Sequence, residues 1–231
     1  MDMTTIGRRY VERWFWTLDE LAEAAGAPIE QVQTLIAAGC APGPIYVLGD
    51  DGWWSALGAR SEPAPSGQAW YAPGAAWGLR RALLAVRAGV TPGEAAAANA
   101  ARFAEDFVAA IGRIEGAERA FPDCFAGGLV DPEAAKTAAA EQWDAWLLGG
   151  YGVCLGVFTA ETCIAKETLG LTMKRALAAG DGDAAMLLDQ AEALAGLILP
   201  FAPWQRPVGT PGLTIDRLLA EQALGRERPY D

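Results

Sequence analysis

Residues 17–57 read TLDELAEAAGAPIEQVQTLIAAGCAPGPIYVLGDDGWWSAL. Thr17, followed three residues on by Glu20, is a capping box, because each side chain can satisfy a backbone N–H of the first helical turn. Gly26 stands where a helix stop wants a left-handed residue. A second helix is expected from Pro28, at the favoured first position, through to Gly39. Leu18, Leu21 and Ala25 give the first helix an inner face, and Val32, Leu35 and Ile36 give one to the second. IYVL and WWSAL, around the turn residues GDDG, read as two short strands in a tight hairpin. The order is helix, turn, helix, wing.

WTLDELAEAAGAPIEQVQTLIAAGCAPGPIYVLGDDGWW resembles the N-terminal winged helix-turn-helix of MerR-type regulators, over roughly a quarter of the chain. That resemblance implies a DNA-binding fold. The charges argue against the activity. Between Trp14 and Ala59 there is no Lys or Arg, while Asp19, Glu20, Glu23, Glu30, Asp50 and Asp51 supply six negatives. Phosphate contacts supply essentially all non-specific affinity, and bases are read mainly by Arg, Lys, Asn and Gln. The second helix offers only Gln31 and Gln33, beside Glu30. Arg8, Arg9, Arg13 and Arg60 merely flank the unit. A fold used for packing or protein contact is the expectation, and nucleic acid is not an expected partner.

Working outward, residues 61–74 (SEPAPSGQAWYAPG) are rich in Pro, Gly and Ser and read as a linker, pinned to the helical part by Trp70 and Tyr71. From residue 75 onward the pattern is helical. Ala76 to Arg87 makes a helix stopped by Gly89. Thr91-Pro92-Gly93-Glu94 starts another, with Phe103, Phe107 and Ile111 recurring every four residues. Further helices are expected from Asp131-Pro132-Glu133 to Leu148, from Thr159 to Ala179, from Asp183 to just before Pro200, and from Thr214 to Leu224. The expected fold is therefore mainly α: a winged helix-turn-helix-like module (1–60) and a linker (61–74), with the module packed on a C-terminal helical bundle (75–231).

The chain has 231 residues, a net charge of −11 and no histidine. Ser-His-Asp and Cys-His catalysis, and every His-containing metal site, are thereby excluded. Its apolar stretches fall well short of the roughly 20 residues that span a bilayer. The start lacks the pattern of a secretory signal, so a soluble cytoplasmic protein is expected, with no membrane partner. Cys40, Cys124, Cys154 and Cys163 have no C-x-x-C spacing and read as reduced, mostly buried thiols.

Chemistry concentrates in EQWDAWLLGGYGVCLGVFTAETCIAKE, residues 141–167. Trp143 and Trp146 lie on adjacent turns of one helix, which ordinarily makes them core anchors. Gly149-Gly150 forces a reversal before Tyr151 and Cys154, and Cys154 and Cys163 are near enough in sequence to face each other across the next turn. A nucleophilic Cys154 would need a depressed pKa and a base, and the chain has no imidazole. Lys166 could bind a carboxylate or form a Schiff base, although Lys166-Glu167 is ordinarily a surface pair. Catalytic roles, if any, fall to Lys166, Glu167 and Cys154. Glu141/Asp144 and Asp181/Asp183 are carboxylate pairs of the kind a hard metal uses, but GDGDAAMLLD lacks the remainder of a calcium loop, and no metal site is assigned. Asp183 reads as an N-cap. No Walker or dinucleotide fingerprint is present, and no cofactor is assigned. The loop LPFAPWQR, 199–206, adds Trp204 and Arg206 as a pocket wall or an interface anchor.

Taken together, TLDELAEAAG, LIAAGCAPGP, YGVCLGVFTAETCIAKE and LPFAPWQR resemble a bacterial family of natural-product biosynthesis proteins, over most of the chain. The resemblance implies a place in specialised metabolism, with no reaction attached. The expected function is a small-molecule-binding protein, enzyme or accessory factor. Its expected ligand-binding residues are Trp143, Tyr151, Cys154, Lys166, Glu167 and Arg206. The alternative is a MerR-like ligand-sensing regulator. Self-association as a homodimer is left open.

Overall fold

The structure is a computed structural model that describes residues 3–49, 53–57, 66–180 and 183–221. Helices hold 64% of it and strands 7%, so the mainly α expectation holds. The tip of the expected hairpin at 50–52, residues 58–65 of the expected module end and linker, Asp181 and the expected helical residues 222–224 lie outside the described residues.

Helix α1 (Met3–Trp14) precedes the segment on which the fold was read. It is followed by α2 (Leu18–Ala25), whose start is the expected capping box: Thr17 N donates to Glu20 Oε2 at 2.7 Å and Glu20 N donates to Thr17 Oγ1 at 3.3 Å. Gly26 ends α2 in the left-handed region, at φ 72°. Next comes α3 (Ile29–Ala37), with Pro28 as its N-cap rather than its first helical residue. The strands β1 (Tyr46–Leu48) and β2 (Trp53–Ser55) pair antiparallel, Tyr46 opposite Ser55. A third strand, β3 (Gln68–Trp70), comes from the stretch read as a linker. It pairs with the free edge of β1, Tyr46 opposite Trp70, so the sheet order is β2-β1-β3. One residue on, Tyr71 bridges to Trp16. The two aromatics expected to pin this stretch to the helical part tie it by backbone to β1 and Trp16 of the N-terminal part instead, while their side chains are buried in the two hydrophobic clusters.

The remaining helices are α4 (Ala75–Arg87), α5 (Pro92–Ile111), the single turn α6 (Ala117–Ala120), α7 (Pro132–Leu147), α8 (Ala160–Ala179), α9 (Ala184–Leu197) and α10 (Arg217–Glu221). A two-residue-per-strand hairpin, β4 (Phe125–Ala126) with β5 (Leu129–Val130), sits between α6 and α7. Capping chemistry sets most of the starts: a Thr91–Glu94 box on α5, Asp131 on α7, a Thr159–Thr162 box on α8 and Asp183 on α9. The last expected helix, from Thr214, differs. The chain makes a π-type turn over Gly212–Asp216 before α10. Thr214 Oγ1 donates back to Thr210 O, and a Cβ at Gly212 would lie 2.2 Å from Arg206 O, so close backbone approach widens the turn.

Two hydrophobic clusters fill the interior. The first joins α2 and α3 to α4, α5, α7 and the start of α8, and includes Leu21, Val32, Leu35, Leu79 and Leu83. At its centre Phe158 stacks on Phe103 and on Trp146, each with centroids 4.8 Å apart, and Trp143 packs against Trp146 at 4.8 Å. Such ring pairs add about 0.5–1.5 kcal/mol each beyond area burial. The second joins α1 and the sheet to the end of α8, α9 and the final segment, around Tyr10, Phe15, Tyr46 and Met173. Cys154 and Leu197 pack against both clusters. Among the described residues no helix is long and apolar enough to cross a membrane.

Candidate functional site

Helices α7 and α8, the turn Ala120–Cys124 and Thr210 enclose a cleft of about 520 Å³. Such a volume lies within the roughly 300–1,000 Å³ of small-molecule sites. Its α8 wall is a single face: Lys166, Gly170 and Lys174 follow one another at four-residue spacing. Gly170 keeps that wall low, since a Cβ there would already lie 3.3 Å from Thr210 Cγ2. The α7 wall presents Ala138, Glu141 and Gln142, and Phe121 and Pro122 add apolar lining from the turn.

Lys166 is buried yet lines this cleft. Its Nζ donates to Glu167 Oε1 at 2.7 Å and lies 5.4 Å from the centre of the Tyr151 ring. The Tyr151 hydroxyl contacts Glu167 Oε1 at 3.0 Å and, more closely, Gln142 Oε1. One phenolic proton cannot serve both acceptors. Turning the Gln142 amide, so that its N–H donates to the phenol oxygen, leaves the phenol free to donate to Glu167. Cys163 completes the cluster, its Sγ 3.8 Å from the Gln142 amide.

The electrostatics assign Lys166 a role. Burial by itself would lower its pKa, but Cys154 and Glu167 outweigh that and carry it above the ordinary lysine value. Burial also pushes the Cys154 thiol up, so at neutral pH Cys154 is uncharged and Glu167 is the partner that holds the ammonium. A Schiff base needs a neutral amine. The shift runs the other way, and leaves Lys166 as a fixed cation with two further N–H donors. Cys163 is pushed up to about 12, chiefly by burial, and the Tyr151 hydroxyl is also driven upward by burial. No thiolate nucleophile is prepared here.

The expected site residues thus separate. Lys166 and Glu167 line the cleft, and Tyr151 lies beneath them, buried. Trp143 stands behind in the first core, linked to Tyr151 through Phe158, whose ring centre is 6.2 Å from Trp143 and 5.3 Å from Tyr151. Cys154 sits at the seam between the cores and does not line the cleft. Nor does Arg206, which grips Asp216 with two 2.8 Å hydrogen bonds and so secures the turn that carries Thr210. Trp204 packs instead against Tyr10 and Trp53. All four cysteines are free thiols, and among the described residues no cluster of His, Cys, Asp or Glu could hold a metal. Sequence reading missed Gln142, Lys174, Asp123 and Thr210. For Lys174 a signal existed, because Lys166, Gly170 and Lys174 recur every four residues on one helix.

No curated protein and no solved structure matches the chain. Residues 99–223, which include every residue named in the cleft, match a family of unknown function, DUF6058. That match spans more than half of the chain, which therefore belongs to the DUF6058 family.

Proposed function

We propose that this protein binds a small polar organic molecule in the cleft between α7 and α8, with Lys166 as its fixed cationic anchor. The observation that carries the proposal is a buried lysine turned into a cleft of about 520 Å³, and held there by Glu167 and the Tyr151 ring. Burying an ammonium costs several kcal/mol unless it is partnered, so a lysine placed at the edge of a cleft is expensive as mere packing. The position of the cleft within the family-matched half of the chain supports the same reading. Bacterial specialised metabolism is the setting that the sequence resemblance implies, and the protein serves it as a binder, enzyme or accessory factor, soluble in the cytoplasm. Native mass spectrometry, after exposure to a small-metabolite extract, tests this directly. The expected result is a retained mass of small-molecule size, together with the subunit count. A bare chain after exposure to the extract contradicts it.

We read α2, α3 and the β1–β2 hairpin as a winged helix-turn-helix-like module used for packing. The turn after α2 supports this, because Arg80 and Arg87 of α4 donate to Ala24 O and Gly26 O at 2.8 and 3.0 Å and fasten it to the bundle. A MerR-like regulator would bind its own upstream DNA at low ionic strength, where the electrostatic attraction is strongest. The acidic surface of α2 and α3 predicts no such binding.

A further inference from the structure

Beyond the Lys166–Glu167 pair, the cleft carries three more charged groups. Lys174 lies on the α8 wall, Glu141 on the α7 wall and Asp123 in the turn before the β4–β5 hairpin. Among the described residues none of the three makes an ion pair or a side-chain hydrogen bond. Opposite charges around one cleft would be expected to close on each other if they could reach. Here they stay more than 4.0 Å apart, the limit for an ion pair.

The charges are also sorted by element. Lys166 and Lys174 stand on α8, where Glu167 already answers Lys166 and leaves Lys174 unanswered. Glu141 and Asp123 line the cleft with Cys124, and their charges add to burial in raising its thiol. The cleft therefore has an unanswered cation on α8 and two unanswered carboxylates on α7 and the Asp123 turn. Phe121, Pro122 and Leu171 supply apolar wall.

We infer that the ligand is a zwitterion of the α-amino-acid class. Its carboxylate lies against Lys174 and the unused donors of Lys166, its ammonium against Glu141 and Asp123, and its side chain on the Phe121–Leu171 wall. The inference rests on the small-molecule reading above and gives it a chemical class. A simple anion would leave the two carboxylates unanswered and would be repelled by them. A simple cation would leave Lys174 likewise.

The test measures melting of the full-length protein with each of the twenty standard amino acids, and for any that stabilises, with its deaminated acid and its decarboxylated amine. At about a hundredfold excess over Kd, a binder raises Tm by about 5–10 °C. At least one amino acid should do so, and its two half-charged analogues should bind about tenfold more weakly. Lys174→Gln should weaken the amino acid and the acid about tenfold and leave the amine bound no more weakly than before. The double variant Asp123→Asn/Glu141→Gln should do the converse. Both sets of side chains are exposed, so these variants fold. Equal binding of the acid alone overturns the zwitterion while the small-molecule site stands. No shift with any amino acid overturns the inference. If the metabolite extract also leaves no retained mass, both readings fall.

Discussion

Lys166 ties structure and function together, and the two can be separated by substitution. Removing the partner with Glu167→Gln leaves the buried ammonium without its counter-charge. Hydrogen bonds to charged groups are worth about 1.5–3 kcal/mol, and the Glu167 side chain is 36% exposed, so a loss near the lower end, about 1–2 kcal/mol, is expected in urea denaturation. Lys166→Met keeps the volume and leaves Glu167 able to reach water. It should cost less than about 1 kcal/mol while abolishing ligand binding. Lys166 and Glu167 were legible because they are charges in an apolar stretch. Gln142 was not, since an amide one residue before a tryptophan carries no signal until α8 is laid beside it. Arg206 was legible as unusual but not as structural, because its partner Asp216 is ten residues on, across a turn no local pattern announces.

Element boundaries were legible wherever the deciding chemistry is local. The Thr17–Glu20 and Thr91–Glu94 boxes, and the Asp131 and Asp183 caps, each close within three residues. The cap on α8 carries the cleft lysines, and Thr159→Ala should destabilise by about 1 kcal/mol in the same denaturation assay. Strand β3 and the β4–β5 hairpin were not legible, because strands of two or three residues exist only through the partner they meet. Helix packing also reverses a local rule. Gly→Ala inside a helix normally gains up to about 1 kcal/mol. At Gly93 a Cβ would meet nothing within 4 Å, and Gly93→Ala should show that gain. At Gly78 a Cβ would lie 2.5 Å from Cys40 O and 3.0 Å from the Trp146 ring. Gly78→Ala should therefore destabilise, because α4 must stay close to the chain that leaves α3. A higher midpoint for Gly78→Ala would refute that packing.

At the scale of the whole molecule, the α2–α3 segment and the bundle share one core, so a single unfolding transition is expected. A separate early melt of the N-terminal segment would contradict it. The mainly α class was legible from helical periodicity. The inner faces of α2 and α3 were legible as packing surfaces for the bundle, but which bundle residues they meet, Leu79 and Leu83 among them, was not, because those contacts join residues far apart in sequence. Alkaline pH should be the molecule's weak side. Tyr46 and Cys163 are each pushed up to about 12 chiefly by burial, and Lys166 is raised as well. Unfolded thiols and phenols titrate near about 8.5 and 10, so the folded state holds these protons more tightly. Their contribution is intact below about pH 8.5 and is lost as pH climbs toward about 12. Tm should be nearly level from pH 6 to 8, as far as these groups set it, and fall steadily above about pH 9. A Tm level up to pH 11 would contradict the burial of these groups.

The α7–α8 cleft as a small-molecule site anchored by Lys166 is tested most directly by melting wild type and Lys166→Met, side by side, against one panel of small acids, amines and zwitterions. At least one compound should raise the wild-type Tm by about 5 °C or more at saturating concentration and leave the variant unmoved. Equal shifts in both proteins, or none in either, would contradict it.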